Sequence, residues 1–182
     1  VDRRVRPLRR AAAGDHSERV RNCCAPAAVD AADACFAPRA RSFSLLDRRF
    51  ESELAEACSS VNHDVGLLAY GALSGGTLSG KGIVEGSRHQ LFPTFQSRYH
   101  CEASRAAAAR YAEIARTAGM SPATMALAWA FSRSFMASVI IGATKMEQLV
   151  ENIKAADVVL PKEVLAKIDA VHAELRNPNV RN

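Results

Sequence analysis

A chain of 182 residues with 48% hydrophobic content is long enough to bury one sizeable core, which excludes fibrous and disordered classes. Its longest apolar runs, SVIIGA and VGLLAYGAL, fall well short of the roughly 20 residues that span a bilayer, so no membrane partner is expected. The formal charge of +5 is unevenly placed: nine of the 19 Arg residues lie between Val1 and Arg41, whereas all five Lys residues lie from Lys81 onward.

Residues 1–41 are built from Arg, Ala, Pro, Cys and Asp and sustain no apolar spacing of helix or strand. A transit peptide would be poor in acids, yet this segment carries Asp2, Asp15, Glu18, Asp30 and Asp33 and is short of Ser. A nucleic-acid arm calls for clustered charge without those acids and with interleaved aromatics, so no nucleic-acid partner is expected. The chain begins at Val1 rather than Met, which points to a fragment or a processed product. The five cysteines, Cys23, Cys24, Cys35, Cys58 and Cys101, are odd in number and lack C-x-x-C spacing. They suggest neither a disulfide framework nor a zinc site, and reduced thiols in a cytoplasmic or organellar compartment are the expectation.

From Ser42 the pattern becomes orderly. Leu46, Phe50, Leu54 and Ala57 share one helical face, so a helix entered near Asp47 is predicted. DVGLLAY reads as a short, continuously apolar strand of the buried parallel type. A loop rich in Gly, Ser and Arg follows from Gly71 to about His100, and structureless loops of that length are usually functional. EASRAAAARYAEIARTAG is a helix ended by Gly119, and Ser121 with Pro122 opens the next as N-cap and first helical residue. MASVIIGA reads as a second buried strand, and Thr144 with Glu147 as the capping box of another helix. The last helix turns Val164, Leu165, Ile168 and Val171 inward. This alternation implies βαβ units and a parallel sheet. Two strands make no closed barrel, and a (β/α)8 barrel takes about 250 residues.

Two loops qualify for chemistry, because in α/β proteins ligands sit beyond the C-terminal ends of the strands. In the first, Gly71, Gly75, Gly76 and Gly80 allow close backbone approach and positive φ, with Lys81 at the end. It is not a phosphate loop of the G-x-x-x-x-G-K-[ST] type, since Gly82 follows Lys81. In the second, a helix N-terminus at Thr144 beside Lys145 would hold an anion. The plain alternatives are a mobile glycine-rich surface loop and an ordinary capped helix.

LLAYGALSGGTLSGK resembles the signature after the seventh strand of aldo-keto reductases, IIGATKMEQLVENI that after their eighth, and FSLLDRRFESELAEAC the segment after their sixth. The resemblance runs from about Ser42 to Val171. It is nearest to the longer-looped subgroup that includes bacterial NADP-dependent reductases and potassium-channel β subunits. It implies an α/β fold, the C-terminal part of a (β/α)8 barrel over 42–182, that binds NADP(H) and reduces a small carbonyl substrate. Tyr70 would border the nicotinamide, and Gly71, Ala72, Leu73, Gly75, Leu78, Gly80 and Lys81 would line the pyrophosphate side. Gly142, Thr144 and Lys145 would approach the adenosine 2′-phosphate, and Gln148, Glu151 and Asn152 the adenosine end. A cationic Lys145 suits the phosphate that separates NADP from NAD.

The chain also departs from that family. Gly71 and Ala72 stand where relatives carry Ser-Pro, and Ala40 where they carry a Gln that holds the nicotinamide carboxamide. The Tyr, Lys, Asp and His of the family's acid–base machinery have no counterpart. Tyr99, Tyr111, His63, His100 and His172 are expected to be packing or surface residues, so no catalytic residue is assigned. Residues 1–41, where the fifth strand, its helix and the sixth strand of a full-length relative would fall, are expected to be altered text of the kind a shifted reading frame or misjoined exon produces. A divergent but genuine segment is the alternative. As a separate chain the protein is expected to be inactive. The rival readings are a non-catalytic NADPH-binding regulatory module and an Arg-rich nucleic-acid binder.

Overall fold

Leu67, Leu68, Ala69 and Tyr70 form the middle strand, β2, of a parallel sheet whose order is β1-β2-β3. The computed structural model describes residues 39–59, 62, 65–82, 88–92, 94 and 96–180, all within one unit, Cys35–Asn182. Expectations that fall on residues 1–38 or on His63 lie outside the described residues. Strand β1 is Arg39–Ser42, paired so that Ser42 lies opposite Tyr70, and β3 is Met136–Val139, with Val139 opposite Ala69. Leu67 and Ala69 are fully buried, as expected of a strand flanked on both edges.

Two departures concern the strands. Sheet pairing begins at Arg39, three residues before the expected start of order at Ser42. Strand β3 is not the fully buried strand that MASVIIGA suggested: Met136, Ala137 and Ser138 are half-buried and Ile140 is 51% exposed. The reason is position, since β3 has no strand on its far side among the described residues. The β2 and β3 backbones approach closely where Gly66 faces Ala137; a Cβ on Gly66 would lie 2.5 Å from that of Ala137.

Helix α1 spans only Arg49–Glu53 and continues as turns, shorter than the helix read over Leu46 to Ala57. Tertiary bonds claim its beginning. Asp47 is buried between Arg49, whose Nε donates at 2.9 Å, and Asn179, whose Nδ2 donates at 3.2 Å, and the Arg48 N–H donates to Asn177 Oδ1 at 2.8 Å. A short helix α2 (Arg88–Leu91) lies in the long connection, followed by α3 (Glu102–Thr117), α4 (Pro122–Phe131), α5 (Met146–Lys154) and α6 (Lys162–Glu174). On α3, Ser104, Ala107, Ala108, Tyr111 and Ala115 recur on one face and are buried, so small residues let it pack closely. Helix α4 is buried from Met125 to Ala130, and its N-terminus is as expected: Ser121 Oγ accepts from the Thr124 N–H at 3.0 Å, with Pro122 first. Val164, Ile168 and Val171 of α6 are buried as read, and Leu165 is half-buried against the core.

The core centres on Phe43, Phe50, Trp129 and Phe135. Phe43 stacks on Trp129 at 5.1 Å between ring centroids and meets Phe135 edge-on at 5.4 Å. The guanidinium groups of Arg48 and Arg133 lie 4.9 and 5.0 Å from the Trp129 ring centroid. Their cation–π contacts close the core beside α1.

Candidate functional site

Parallel pairing sends the chain out of β2 and β3 at the same end of the sheet, so the two candidate loops leave from neighbouring strands. After Tyr70, itself 40% exposed, the first loop folds on itself rather than waving freely. The N–H groups of Ser74 and Gly76 donate to the carbonyls of Gly71 and Leu73 at 2.7 and 2.9 Å, and residues Ser74–Ser79 form a 3₁₀ segment. Gly71, Gly75, Gly76 and Gly80 all take positive φ, which their lack of a Cβ permits at little cost. Ala72, Ser74 and Leu78 are buried beneath the turn, and Ser74 Oγ donates to buried Ser44 Oγ at 3.0 Å. The backbone therefore forms the outer surface of this loop, while Lys81 stands exposed at its end.

The loop after β3 is held differently. Gly142, Ala143, Thr144 and Lys145 are exposed, and the helix cap is Lys145 rather than Thr144, with no side-chain cap bond. Gln148 takes the part expected of Glu147: its Oε1 accepts from the Thr144 N–H at 3.1 Å and lies 3.2 Å from the Thr144 hydroxyl. The reach is one residue longer than in a capping box because the helix starts one residue later. The first-turn N–H groups of α5 thus face outward at its positive end. Buried Asn152 reaches back with Nδ2 to the Gly142 carbonyl at 3.5 Å.

The start of α4 sits between the two loops. On one side Pro122 abuts Gly80, where a Cβ would lie 2.6 Å from the proline ring; on the other Ser121 and Thr124 hydrogen-bond Glu151. A hollow of about 560 Å³ between α4 and α5 is lined by Thr124, Met146, Val150, Glu151 and Lys154. A cleft of about 260 Å³ lies beside the glycine loop, lined by Thr77, Gly80, Gly82, Tyr99 and Arg105. The structure thus brings Gly80 and Glu151 to the start of α4, while Gln148 and Asn152 meet Thr144 and Gly142 of the second loop. Glu151 and Asn152 already have partners within the fold, and Ala72 and Leu78 offer only backbone.

The donor set suits a long anionic ligand. Lys81 and Lys145 are exposed and make no ion pair among the described residues, and the uncapped first turn of α5 adds N–H groups. Among the described residues no cluster of His, Cys, Asp and Glu could hold a metal ion.

Tyr111, His172 and Tyr99 lie among the described residues and can be placed. Tyr111 sits in the helix layer with its hydroxyl buried and without a hydrogen-bond partner among the described residues, and burial pushes its pKa up to about 12. His172 on α6 is lowered by burial and by Arg48. Tyr99 is the surprise. It is wholly buried, as a packing residue should be, yet its hydroxyl is hydrogen-bonded to Ser42 Oγ at 3.1 Å, at the C-terminal end of β1. A Cβ on Gly71 would lie 3.2 Å from the same oxygen, and Arg98 Nη2 donates to it at 3.2 Å. Sequence reasoning missed Ser42, Arg98 and Tyr99 as neighbours of the site. The single signal for them is an Arg-Tyr pair ending a long loop.

Such an arrangement defines an α/β protein with two loops side by side at the ends of neighbouring parallel strands. Comparison with known proteins makes this specific: the sequence model of the aldo/keto reductase family matches residues 26–173, and the chain belongs to that family. It is 46% identical over 134 residues to protein tas of Escherichia coli K12, covering 71% of this chain and 38% of that protein. A probable voltage-gated potassium channel subunit beta of Oryza sativa is 36% identical over 138 residues, 71% of this chain and 42% of that protein. An L-glyceraldehyde 3-phosphate reductase of Escherichia coli O157:H7 is 35% identical over 141 residues, 70% and 39% respectively. The chain therefore spans about two fifths of the length of these relatives. No helix among the described residues is long and apolar enough to cross a membrane.

Proposed function

We propose that this chain is the cofactor-holding C-terminal part of a (β/α)8 aldo-keto reductase that uses NADP(H) to reduce a small aldehyde or ketone. The observation that carries the proposal is the pair of loops leaving β2 and β3 side by side, joined through the start of α4, with an exposed lysine on each. When bound, the dinucleotide supplies the hydride. The residues of this chain bind and orient it: Tyr70 borders the nicotinamide, the backbone from Gly71 to Gly80 with Lys81 carries the pyrophosphate, and Thr144 and Lys145 meet the 2′-phosphate. Gln148 and Asn152 hold the second loop in shape, through the Thr144 N–H and the Gly142 carbonyl. Proton transfer to the carbonyl oxygen falls to groups of a full-length reductase, because this sequence carries no counterpart of the Tyr, Lys, Asp and His that the family resemblance calls for. The reductase named among the relatives supports the reaction class.

Calorimetric titration of the 182-residue chain with NADPH and NADH tests this reading. NADPH is expected to bind more tightly than NADH, and Lys145→Ala to weaken NADPH by about tenfold while leaving NADH unchanged. Equal binding of both cofactors, or none, would overturn it. With an aromatic aldehyde added, the chain alone is expected to leave NADPH unoxidised.

A further inference from the structure

Arg98 carries a charge that rests on the Tyr99 ring and meets no carboxylate among the described residues. Arg48, Arg49, Arg110, Arg116 and Arg133 each pair with a carboxylate, whereas Arg98 makes no ion pair among the described residues. It is half-buried, its Nε is shielded from solvent and has no hydrogen-bond partner among the described residues, and its guanidinium lies 4.7 Å from the Tyr99 ring centroid. A half-desolvated cation without a counter-ion is unfavourable in isolation.

Its position gives that charge a use. Arg98 Nη2 donates to Tyr99 Oη at 3.2 Å, and Tyr99 Oη is hydrogen-bonded at 3.1 Å to Ser42 Oγ, opposite Tyr70 in the sheet. The guanidinium is therefore two hydrogen bonds from the C-terminal ends of β1 and β2. Tyr99 is itself immobilised, wholly buried and accepting at its carbonyl from Thr77 Oγ1 of the glycine loop at 3.3 Å. A cation fixed on a rigid ring at the strand ends is preorganised for an anion, and the planar fork of arginine matches phosphoryl oxygens.

We propose that Arg98 is an anion-binding residue of this site and takes a phosphoryl group. The proposal rests on reading the strand ends as the place where cofactor and carbonyl substrate meet. The phosphoryl group has two sources: the pyrophosphate of the dinucleotide, or a phosphate borne by the carbonyl substrate.

The test titrates wild-type chain and Arg98→Gln by calorimetry with NADPH, with inorganic pyrophosphate and, after saturation with NADPH, with inorganic phosphate. Loss of about tenfold or more for both NADPH and pyrophosphate in Arg98→Gln supports the proposal and assigns the dinucleotide. Unchanged NADPH binding with loss of phosphate binding to the saturated chain supports it and assigns the substrate. Equal binding of all probes by the two proteins, or no binding of any probe by wild type, overturns it. If NADPH fails to bind wild type but pyrophosphate binds and is lost in Arg98→Gln, the anion site stands and the dinucleotide reading falls. Arg98→Lys keeps the charge without the fork and is expected to retain part of the affinity, which a residue that merely covers Tyr99 would not show. Should Arg98→Gln not fold, Arg98→Lys carries the same comparison, expected at an intermediate loss; affinity equal to wild type would overturn the proposal.

Discussion

The two loops that leave the sheet side by side are built in opposite ways. The loop after β2 is anchored from beneath by Leu78, Ala72 and the Ser74–Ser44 hydrogen bond, so its outer backbone is fixed by burial. The loop after β3 has no buried residue from Ile140 to Lys145 and is shaped by Gln148 and Asn152 reaching back from α5. One loop is part of the core and the other rests on its surface. A preformed backbone cradle beside an exposed cationic segment is a sensible division for a long ligand, since the first fixes its position and the second reads its charge.

The largest test of that contrast is Leu78→Ala. The cavity it opens is expected to destabilise the chain by about 2–5 kcal/mol in chemical denaturation, far more than any single change between Ile140 and Lys145. Gly80→Ala comes next, at about 1–2 kcal/mol from the left-handed backbone alone, with the Pro122 contact adding to it. Ser121→Ala removes the N-cap of α4 and one partner of Glu151, for about 1 kcal/mol. If it also weakens NADPH binding, α4 couples the two loops; if stability alone changes, they act independently. Lys145→Ala is expected to leave stability within about 0.5 kcal/mol while costing NADPH affinity, the reverse of Leu78→Ala.

Acid offers a subtler probe of the buried side. Burial pushes the Asp47 carboxyl up, but the hydrogen bonds from Arg49 and Asn179 outweigh it and hold the group below the usual carboxylate range. A lowered folded pKa means that Asp47 contributes stability above its unfolded value of about 3.9 and loses it as pH falls through the folded value. The thermal midpoint is therefore expected to drop below about pH 4, and the drop to shrink in Asp47→Asn.

What the sequence made legible was local. Ser121 and Pro122 mark the start of α4 because a cap and a first-turn proline act within three residues. The glycines that need positive φ were visible for the same reason. Thr144 was misplaced by one because Gln148 and Glu147 are both able to reach back, and the backbone start of α5 decides between them. Arg39–Ser42 was invisible as a strand: Arg-Ala-Arg-Ser has no apolar alternation, and Ala40 and Arg41 are exposed, so backbone pairing to Leu67–Tyr70 defines it. The late start of α1 depends on Asn177 and Asn179, far along the chain. Tyr99 was read as a packing or surface residue and is buried, but its bond to Ser42 spans 57 positions, and no local pattern announces it.

Hydrogen–deuterium exchange of the 182-residue chain with and without NADPH tests the central claim most directly. The account predicts protection that rises together in 71–81 and in 142–148, with the gain larger in the second because the first is already held by burial. Protection confined to one loop, or absent from both while NADPH is bound, would contradict a single ligand laid across the two.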